Sequence, residues 1–330
     1  MRGKRTIAAG QEGCTRPRLD IATRTVAGSP DRRRAERQAE DMMTSIKRVG
    51  VVGAGQMGRG ITEVCARAGL HVTLCDVTED RARAGLAGVA DSLLKAEQRG
   101  TLTPEARVAA LAGVSATAEL SDLSDVDLVV EAAVEDERAK TELFRRLDEV
   151  VTDPAAVLAS NTSSIPIARL AAATARPEAV VGLHFFNPVP VMPLVEVVPS
   201  LHTSKATELR VRSFAAETLG KKTIVAQDRA GFVVNSLLVP YLLAAVRMVG
   251  TGTATAEDID TGMTAGCAHP MGPLRLADLI GLDTVAAIGE ALYEEYREPL
   301  YAPPPLLRRM VESGLLGRKS GQGFFSYRAA

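Results

Sequence analysis

From Lys47 to Val77 the chain reads KRVGVVGAGQMGRGITEVCARAGLHVTLCDV. An apolar run, a glycine turn, a helical stretch and a second apolar run predict one βαβ unit, the seed of a parallel sheet. Gly53, Gly55 and Gly58 form GxGxxG directly after a strand over Val49–Val52 and directly before a helix that ends near Gly69. In such a turn the first glycine permits the tight reversal, the second lets a pyrophosphate approach the backbone, and the third lets helix and strand pack closely. Free N–H groups and the positive end of the dipole at the helix start suit phosphate. Gln56 and Met57 lie between the second and third glycines and join them as candidate cofactor contacts. Asp76 closes the second strand about twenty residues on, where an acid accepts the ribose hydroxyls of the adenosine half. Its charge also repels a 2′-phosphate, and Val77 and Thr78 follow with no arginine before Arg81. NAD is therefore expected over NADP.

With 330 residues the chain has room for about two domains. The α/β alternation continues after Asp76 with helix 80–98, Thr103 and Pro104 as cap and first residue of another helix, strand 127–132, helix 136–151 and strand 156–159. The polar cluster Ser160-Asn161-Thr162-Ser163-Ser164 follows that strand. It reads either as a ligand-facing strand end or as a cap series for the next helix. Strand 179–186 carries His184 at its tip, followed by Asn187-Pro188, and a short strand 194–198 carries Glu196. A helix over 203–220 and a short strand at 223–226 complete this part.

From Arg229 onward the pattern is helical, over 229–250 (with a kink or local perturbation expected at Pro240), 256–266, 274–280, 283–296 and 305–315. The expected class is α/β, a Rossmann-type, mostly parallel sheet domain followed by a smaller all-α domain. The expected boundaries are a disordered extension over 1–45, an NAD-binding domain over 46–228 and a helical substrate and dimerisation domain over 229–330. Apolar residues surround the first of these helices broadly, which suggests burial against a second subunit and hence a homodimer.

Composition excludes several function classes. With 39 Lys+Arg against 40 Asp+Glu, the net charge of -1 provides no field toward nucleic acid or an anionic membrane. No apolar run approaches the ~18–20 residues that span a bilayer. Cys14, Cys65, Cys75 and Cys267 show neither CxxC nor metal-ligand spacing, so no metal is expected and a reducing cytoplasm fits. The extension holds Arg2, Lys4, Arg5, Arg16, Arg18 and Arg24 against Glu12 and Asp20 without a hydrophobic period. It reads as a dispensable tail, or as sequence upstream of a true start at Met42 or Met43, and it bears a faint likeness to a transit peptide.

The stretches VGVVGAGQMGRGI, DLVVEAAVED, ASNTSSI, GLHFFNPVPVMPLVEVV, GFVVNSLLVPYL, EDID, HPMGPLRLADLIGLD and GRKSGQGFFSY, taken in order, closely resemble the L-3-hydroxyacyl-CoA dehydrogenases, specifically the short, single-function members. The resemblance covers about Ile46 to Tyr327. It implies NAD-dependent interconversion of (S)-3-hydroxyacyl-CoA and 3-ketoacyl-CoA, with 3-hydroxybutyryl-CoA the expected short-chain substrate. By the same resemblance His184 is the base and Glu196 its carboxylate partner, while Ser163 and Asn235 contact the substrate oxygen region. Asn187 lies at the nicotinamide, Glu135, Lys140 and Lys319 lie near the NAD, and Ser92 lies near the coenzyme A. Arg99 stands where a relative has a lysine on the coenzyme A. Pro193 and Arg275 are unusual for the family and leave the acyl chain and carrier open.

Chemistry supports these roles independently. Oxidising a secondary alcohol needs a hydride acceptor and a group to take the hydroxyl proton, a task for which histidine is suited near neutral pH. Among four histidines, His71 begins the second strand, away from the carboxyl ends, and His202 and His269 lie in loops. An amide at position 196 could still accept a hydrogen bond, so Glu196→Gln is expected to be milder than loss of His184. The alternatives are a relative acting on a carrier-protein-bound or free hydroxy acid, and a catalytically idle NAD-binding protein.

Overall fold

Val49 and Val51 of the first strand face one side of the sheet and Val52 the other, and both sides are buried. Such two-sided burial is what a continuous apolar run demands. The chain is described here by a computed structural model over residues 45–327. The extension expected over 1–45 thus lies, up to Thr44, outside the described residues. From Ser45 onward the chain clusters as one compact unit.

Strand β1 (Arg48–Val52), helix α1 (Gln56–Arg67) and β2 (His71–Cys75) form the predicted unit. Helices α2 (Glu79–Gln98) and α3 (Pro104–Ala112) follow, the latter capped by Thr103, whose hydroxyl accepts from the Ala106 N–H. Then come β3 (Val114–Thr117), β4 (Leu128–Glu131), α4 (Glu137–Val150), β5 (Val157–Ser160), α5 (Ile167–Ala171), β6 (Val180–Phe185) and β7 (Leu194–Pro199). Helix α6 (Lys205–Ser213) passes into a π-helical turn over Phe214–Thr218 and leads to β8 (Lys222–Val225). The eight strands run in the order β3-β2-β1-β4-β5-β6-β7-β8. All neighbours are parallel except β6 and β7. Strand order reverses between β1 and β4, so the crevice at their carboxyl ends is the natural ligand site.

The second part comprises α7 (Val234–Gly250), α8 (Ala256–Cys267), α9 (Pro273–Ile280), α10 (Leu282–Tyr296) and α11 (Pro305–Glu312). Its core joins Leu242, Leu243 and Val246 to Leu274, Leu282, Leu292 and Leu307. The helix expected from Arg229 begins only at Val234, because Gly231 and Phe232 take left-handed φ values of 77° and 47°. It then runs as one element through Pro240. The polar cluster after β5 does not cap α5. That helix receives its cap from Asp228, whose carboxylate accepts from the N–H groups of Ile167 and Ala168 at 2.6 and 2.7 Å.

Cys65 and Cys75 are buried, and burial pushes their thiols up to about 12 and about 11. Among the described residues no helix is long and apolar enough to cross a membrane.

Candidate active site

The turn after β1 is built from glycines for reasons of space. A Cβ at Gly53, whose φ is +104°, would sit 2.5 Å from the Ala132 carbonyl oxygen, and one at Gly58 would sit 1.7 Å from that of Gly53. A Cβ at Gly55 would meet nothing within 4 Å. The two outer glycines thus close the turn on the sheet, and the middle one faces open space where a pyrophosphate can approach.

Asp76 ties this turn to β2. Its Oδ2 accepts from the Ala54 N–H at 2.7 Å and its Oδ1 from the Val77 N–H at 2.8 Å. Arg81, the first arginine after Asp76, pairs with Oδ1 at 3.0 Å and is largely exposed. A carboxylate has about four acceptor sites, so room remains for a ribose hydroxyl. Removing the acid also frees Arg81 to meet a 2′-phosphate. Hydrogen bonds to a charged group contribute about 1.5–3 kcal/mol, so Asp76→Ala is expected to lower kcat/KM for NADH by about ten- to hundredfold. The NADH/NADPH preference should narrow as well. Steady-state kinetics with both cofactors check this, and an unchanged ratio would remove Asp76 as the discriminator.

At the other end of the crevice the antiparallel β6–β7 register sets His184 directly opposite Glu196. Opposed side chains on one face lie within contact distance, and His184 Nδ1 sits 2.7 Å from Glu196 Oε2. The remaining oxygen, Oε1, accepts from the N–H groups of Val233 and Val234 at 3.1 and 3.0 Å. At the start of α7 such donors have no partner within the helix, and the left-handed turn at Gly231 and Phe232 presents them to the acid. Both residues of the pair are buried, Glu196 completely. His184 Nε2 faces Ser163 Oγ at 3.0 Å. The rings of Phe186 and Phe232 meet the imidazole edge-on with centroids 4.7 and 5.4 Å away. Asn235 is buried in the first turn of α7, two residues beyond the Val233 N–H that binds Glu196, and its amide makes no hydrogen bond among the described residues.

Ser163 is positioned from behind by charge. Glu135 Oε1 accepts from the Thr162 hydroxyl at 2.5 Å, the Ser163 N–H at 3.0 Å and the Ser164 hydroxyl at 3.0 Å. Its Oε2 pairs with Lys140 at 3.2 Å. Burial alone would raise the Glu135 carboxyl, but the Lys140 ammonium and these hydrogen bonds outweigh it and hold the group below the usual carboxylate range. Lys140 is itself almost wholly buried and pairs with Glu131 at 2.5 Å. Glu131, at the end of β4, also accepts from the Ser160 hydroxyl and the Ala133 N–H at 2.6 and 2.7 Å. Glu131 is a functional position that the sequence pattern alone does not single out. A lone acid closing a buried strand at the order reversal was the available signal.

Glu135, Lys140, Asn161, Ser163 and Ser164 line a cavity of about 480 Å³ together with Met57 and, from α10, Asp283 and Thr284. Asp283 accepts from Lys319 Nζ at 2.6 Å through Oδ2, and its Oδ1 is a buried acceptor with no partner. The loop of Lys319 is held by Asp278, which accepts from the N–H groups of Phe324 and Phe325 at 3.0 and 2.9 Å. Asp283 had no distinguishing signal, since an acid in a helix's first turn is ordinary. The open space at Gly55, the unpaired Asp283 oxygen and the polar cavity fit a bound NAD. The glycine turn and Asp76 would hold its phosphates and adenosine, and Glu135, Lys140 and Lys319 its nicotinamide half.

A second, smaller groove lies between α1 and α2, lined by Gln56, Arg59, Glu63, Ser92 and the turn from Asn187 to Pro190. The Asn187 side-chain oxygen accepts from the Gln56 amide at 3.1 Å, linking that turn to the glycine motif. Ser92 and Asn187 are thus placed together, with Arg59 as a basic neighbour that was not anticipated. Arg99 is not in this groove, because it caps the far end of α2, two turns beyond Ser92.

Comparison with known proteins gives a consistent picture. The family model described as 3-hydroxyacyl-CoA dehydrogenase, NAD binding domain, matches residues 48–229, and that described as 3-hydroxyacyl-CoA dehydrogenase, C-terminal domain, matches residues 231–327. The 3-hydroxybutyryl-CoA dehydrogenase of Mycobacterium tuberculosis is 57% identical over 286 residues, which cover 87% of this chain and 100% of the relative. The crystal structure of M. tuberculosis FadB2 superposes with a TM-score of 0.85 at 57% identity, covering 86% of this chain and 100% of that one. The (S)-3-hydroxybutyryl-CoA dehydrogenase PaaH1 from Ralstonia eutropha gives 0.82 at 44% identity, with 86% and 100% covered. With both halves matched and the paired histidine and glutamate in register beside an NAD-binding crevice, this chain belongs to the 3-hydroxyacyl-CoA dehydrogenase family.

Proposed function

We propose that the chain catalyses the NAD-dependent oxidation of (S)-3-hydroxyacyl-CoA to 3-ketoacyl-CoA and the reverse reaction, with 3-hydroxybutyryl-CoA as the preferred short substrate. The observation that carries this is the placement of His184 between Ser163 and Glu196. The carboxylate, already bound to two amides of α7, accepts a hydrogen bond from Nδ1–H and holds the proton on that nitrogen, so the lone pair of the imidazole is left on Nε2. That nitrogen points to Ser163, where the substrate hydroxyl would sit between serine, histidine and the free amide of Asn235. His184 then accepts the hydroxyl proton as the carbon loses its hydride, and Glu196 balances the imidazolium that forms. NAD supplies the hydride acceptor when bound. In reduction His184 returns the proton to the carbonyl oxygen. The α1–α2 groove, with Arg59 and Ser92, suits the phosphates and pantetheine of coenzyme A.

A homodimer is part of the same reading. Val233, Leu237 and Met248 leave an apolar stripe exposed on α7, which a second copy would cover. Action in the cytoplasm is the accompanying expectation, supported by the free state of Cys65, Cys75 and Cys267.

The test is NADH consumption with acetoacetyl-CoA, acetoacetyl-carrier protein and free acetoacetate. The coenzyme A thioester is expected to react fastest, and its kcat/KM should exceed that of the free acid by at least about a hundredfold, since remote binding energy serves the reacting centre. Faster reaction of the carrier-protein thioester or free acid would replace the proposed substrate. Cofactor binding with no turnover of any thioester would favour an idle NAD-binding protein.

A further inference from the structure

The connection between His184 and Glu196 has to satisfy three neighbours. It carries Asn187 against Gln56, it lines the α1–α2 groove, and it packs Val189 so tightly on α1 that a Cβ at Gly60 would lie 2.8 Å from the Val189 Cβ. Its own hydrogen bonds are few. The N–H groups of Val191 and Met192 both turn back to the Pro188 carbonyl at 3.0 and 2.9 Å, and prolines at 188, 190 and 193 contribute no donors. The carbonyls of Val189 and Met192 therefore need donors from elsewhere.

They receive them from one side chain. Lys221, just before β8, is buried, and its Nζ donates to the Val189 carbonyl at 2.6 Å and to the Met192 carbonyl at 2.8 Å. Among the described residues no carboxylate pairs with it directly, so its charge is directed at main-chain acceptors. We propose that Lys221 is a positioning residue that fastens the Val189–Met192 turn and thereby sets the wall of the acyl-CoA groove and the place of Asn187. A charge-assisted pair of hydrogen bonds spanning both ends of a turn holds its shape in a way that apolar packing alone does not. The inference rests on the dehydrogenase reading for its kinetic consequence, but not for its structural one.

The experiment compares Lys221→Met, which keeps the aliphatic stem, with Lys221→Gln, which keeps a two-proton donor. In Lys221→Met, KM for acetoacetyl-CoA should rise about tenfold, the equivalent of one hydrogen bond to a charged group, with kcat changed by less than about twofold. Lys221→Gln should recover part of that loss. Hydrogen exchange at the Val191 and Met192 amides should quicken about tenfold in Lys221→Met, while the amides of β1 keep their wild-type rates. Unchanged exchange overturns the proposal whatever the activity. Faster exchange with unchanged KM overturns it too, since the lysine would then only stabilise the turn. A wild-type protein inactive on acetoacetyl-CoA would sink the functional reading, while the exchange rates would still decide whether Lys221 fastens the turn.

Discussion

Replacing His184 by glutamine is expected to lower turnover by on the order of 10² to 10⁴ while NADH still binds, because general acid–base catalysis contributes that much. The two effects separate because the sheet separates the sites. The glycine turn and Asp76 stand at the ends of β1 and β2, whereas His184 sits at the end of β6, three strands from β1. Glutamine can occupy the space between Ser163 and Glu196, but it has no group that takes a proton near neutral pH. NADH fluorescence titration alongside stopped-time assays with acetoacetyl-CoA reads both quantities. Near-normal turnover, or a loss accounted for by weaker NADH binding, would mean that another group is the base.

Glu196→Gln should be as damaging, on the order of 10³ to 10⁴ in kcat, since a histidine held in the wrong tautomer loses about that much. From sequence, this change looked milder than loss of the histidine, because an amide still accepts a hydrogen bond. The geometry reverses that expectation. Two α7 amides donate to Oε1, so the single amide oxygen of glutamine must face them. Its NH₂ then points at His184 Nδ1 and requires that nitrogen to accept. The ring proton is forced onto Nε2, toward Ser163 and the substrate hydroxyl, and the base is blocked at its working atom. Glu196→Ala should show a comparable kinetic loss plus a lower melting temperature, because it leaves two half-buried amides at the start of α7 without their acceptor. Leaving such a group unsatisfied is worth about 1–3 kcal/mol. Kinetics and thermal melts of the two variants check this, and a mild Glu196→Gln would mean that the carboxylate does not fix the tautomer.

The sequence was most readable where chemistry and local pattern coincide. Gly53, Gly55, Gly58 and Asp76 declare the βαβ unit because turn, helix start and strand end each need those residues within a short span. His184 and Glu196 could be placed on two strands, but their pairing is a matter of register. The antiparallel turn of β7 against β6 depends on the Pro188–Pro193 connection, which has no period. Strand β3 went unpredicted because Val114–Thr117 is a four-residue edge strand with little apolar content. The start of α7 was misjudged because apolar spacing continues through Gly231 and Phe232, whereas the backbone there turns left-handed and so presents its amides to Glu196. Contacts made across loops were beyond sequence pattern altogether. Asp76 with Arg81, Lys140 between Glu131 and Glu135, and Asp283 with Lys319 all join residues whose spacing follows no helical or strand rule.

General-base catalysis by His184 requires its proton to sit on Nδ1, not Nε2, in the resting protein. Nuclear magnetic resonance of protein labelled with ¹⁵N-histidine resolves this directly, since only four histidines contribute signals. His184→Gln identifies the pair of resonances to follow. At a pH where the ring is neutral, the wild type should show a protonated Nδ1 and an unprotonated Nε2, and Glu196→Gln should show the reverse. A wild-type ring protonated on Nε2 would contradict the assignment of His184 as the base that receives the substrate proton.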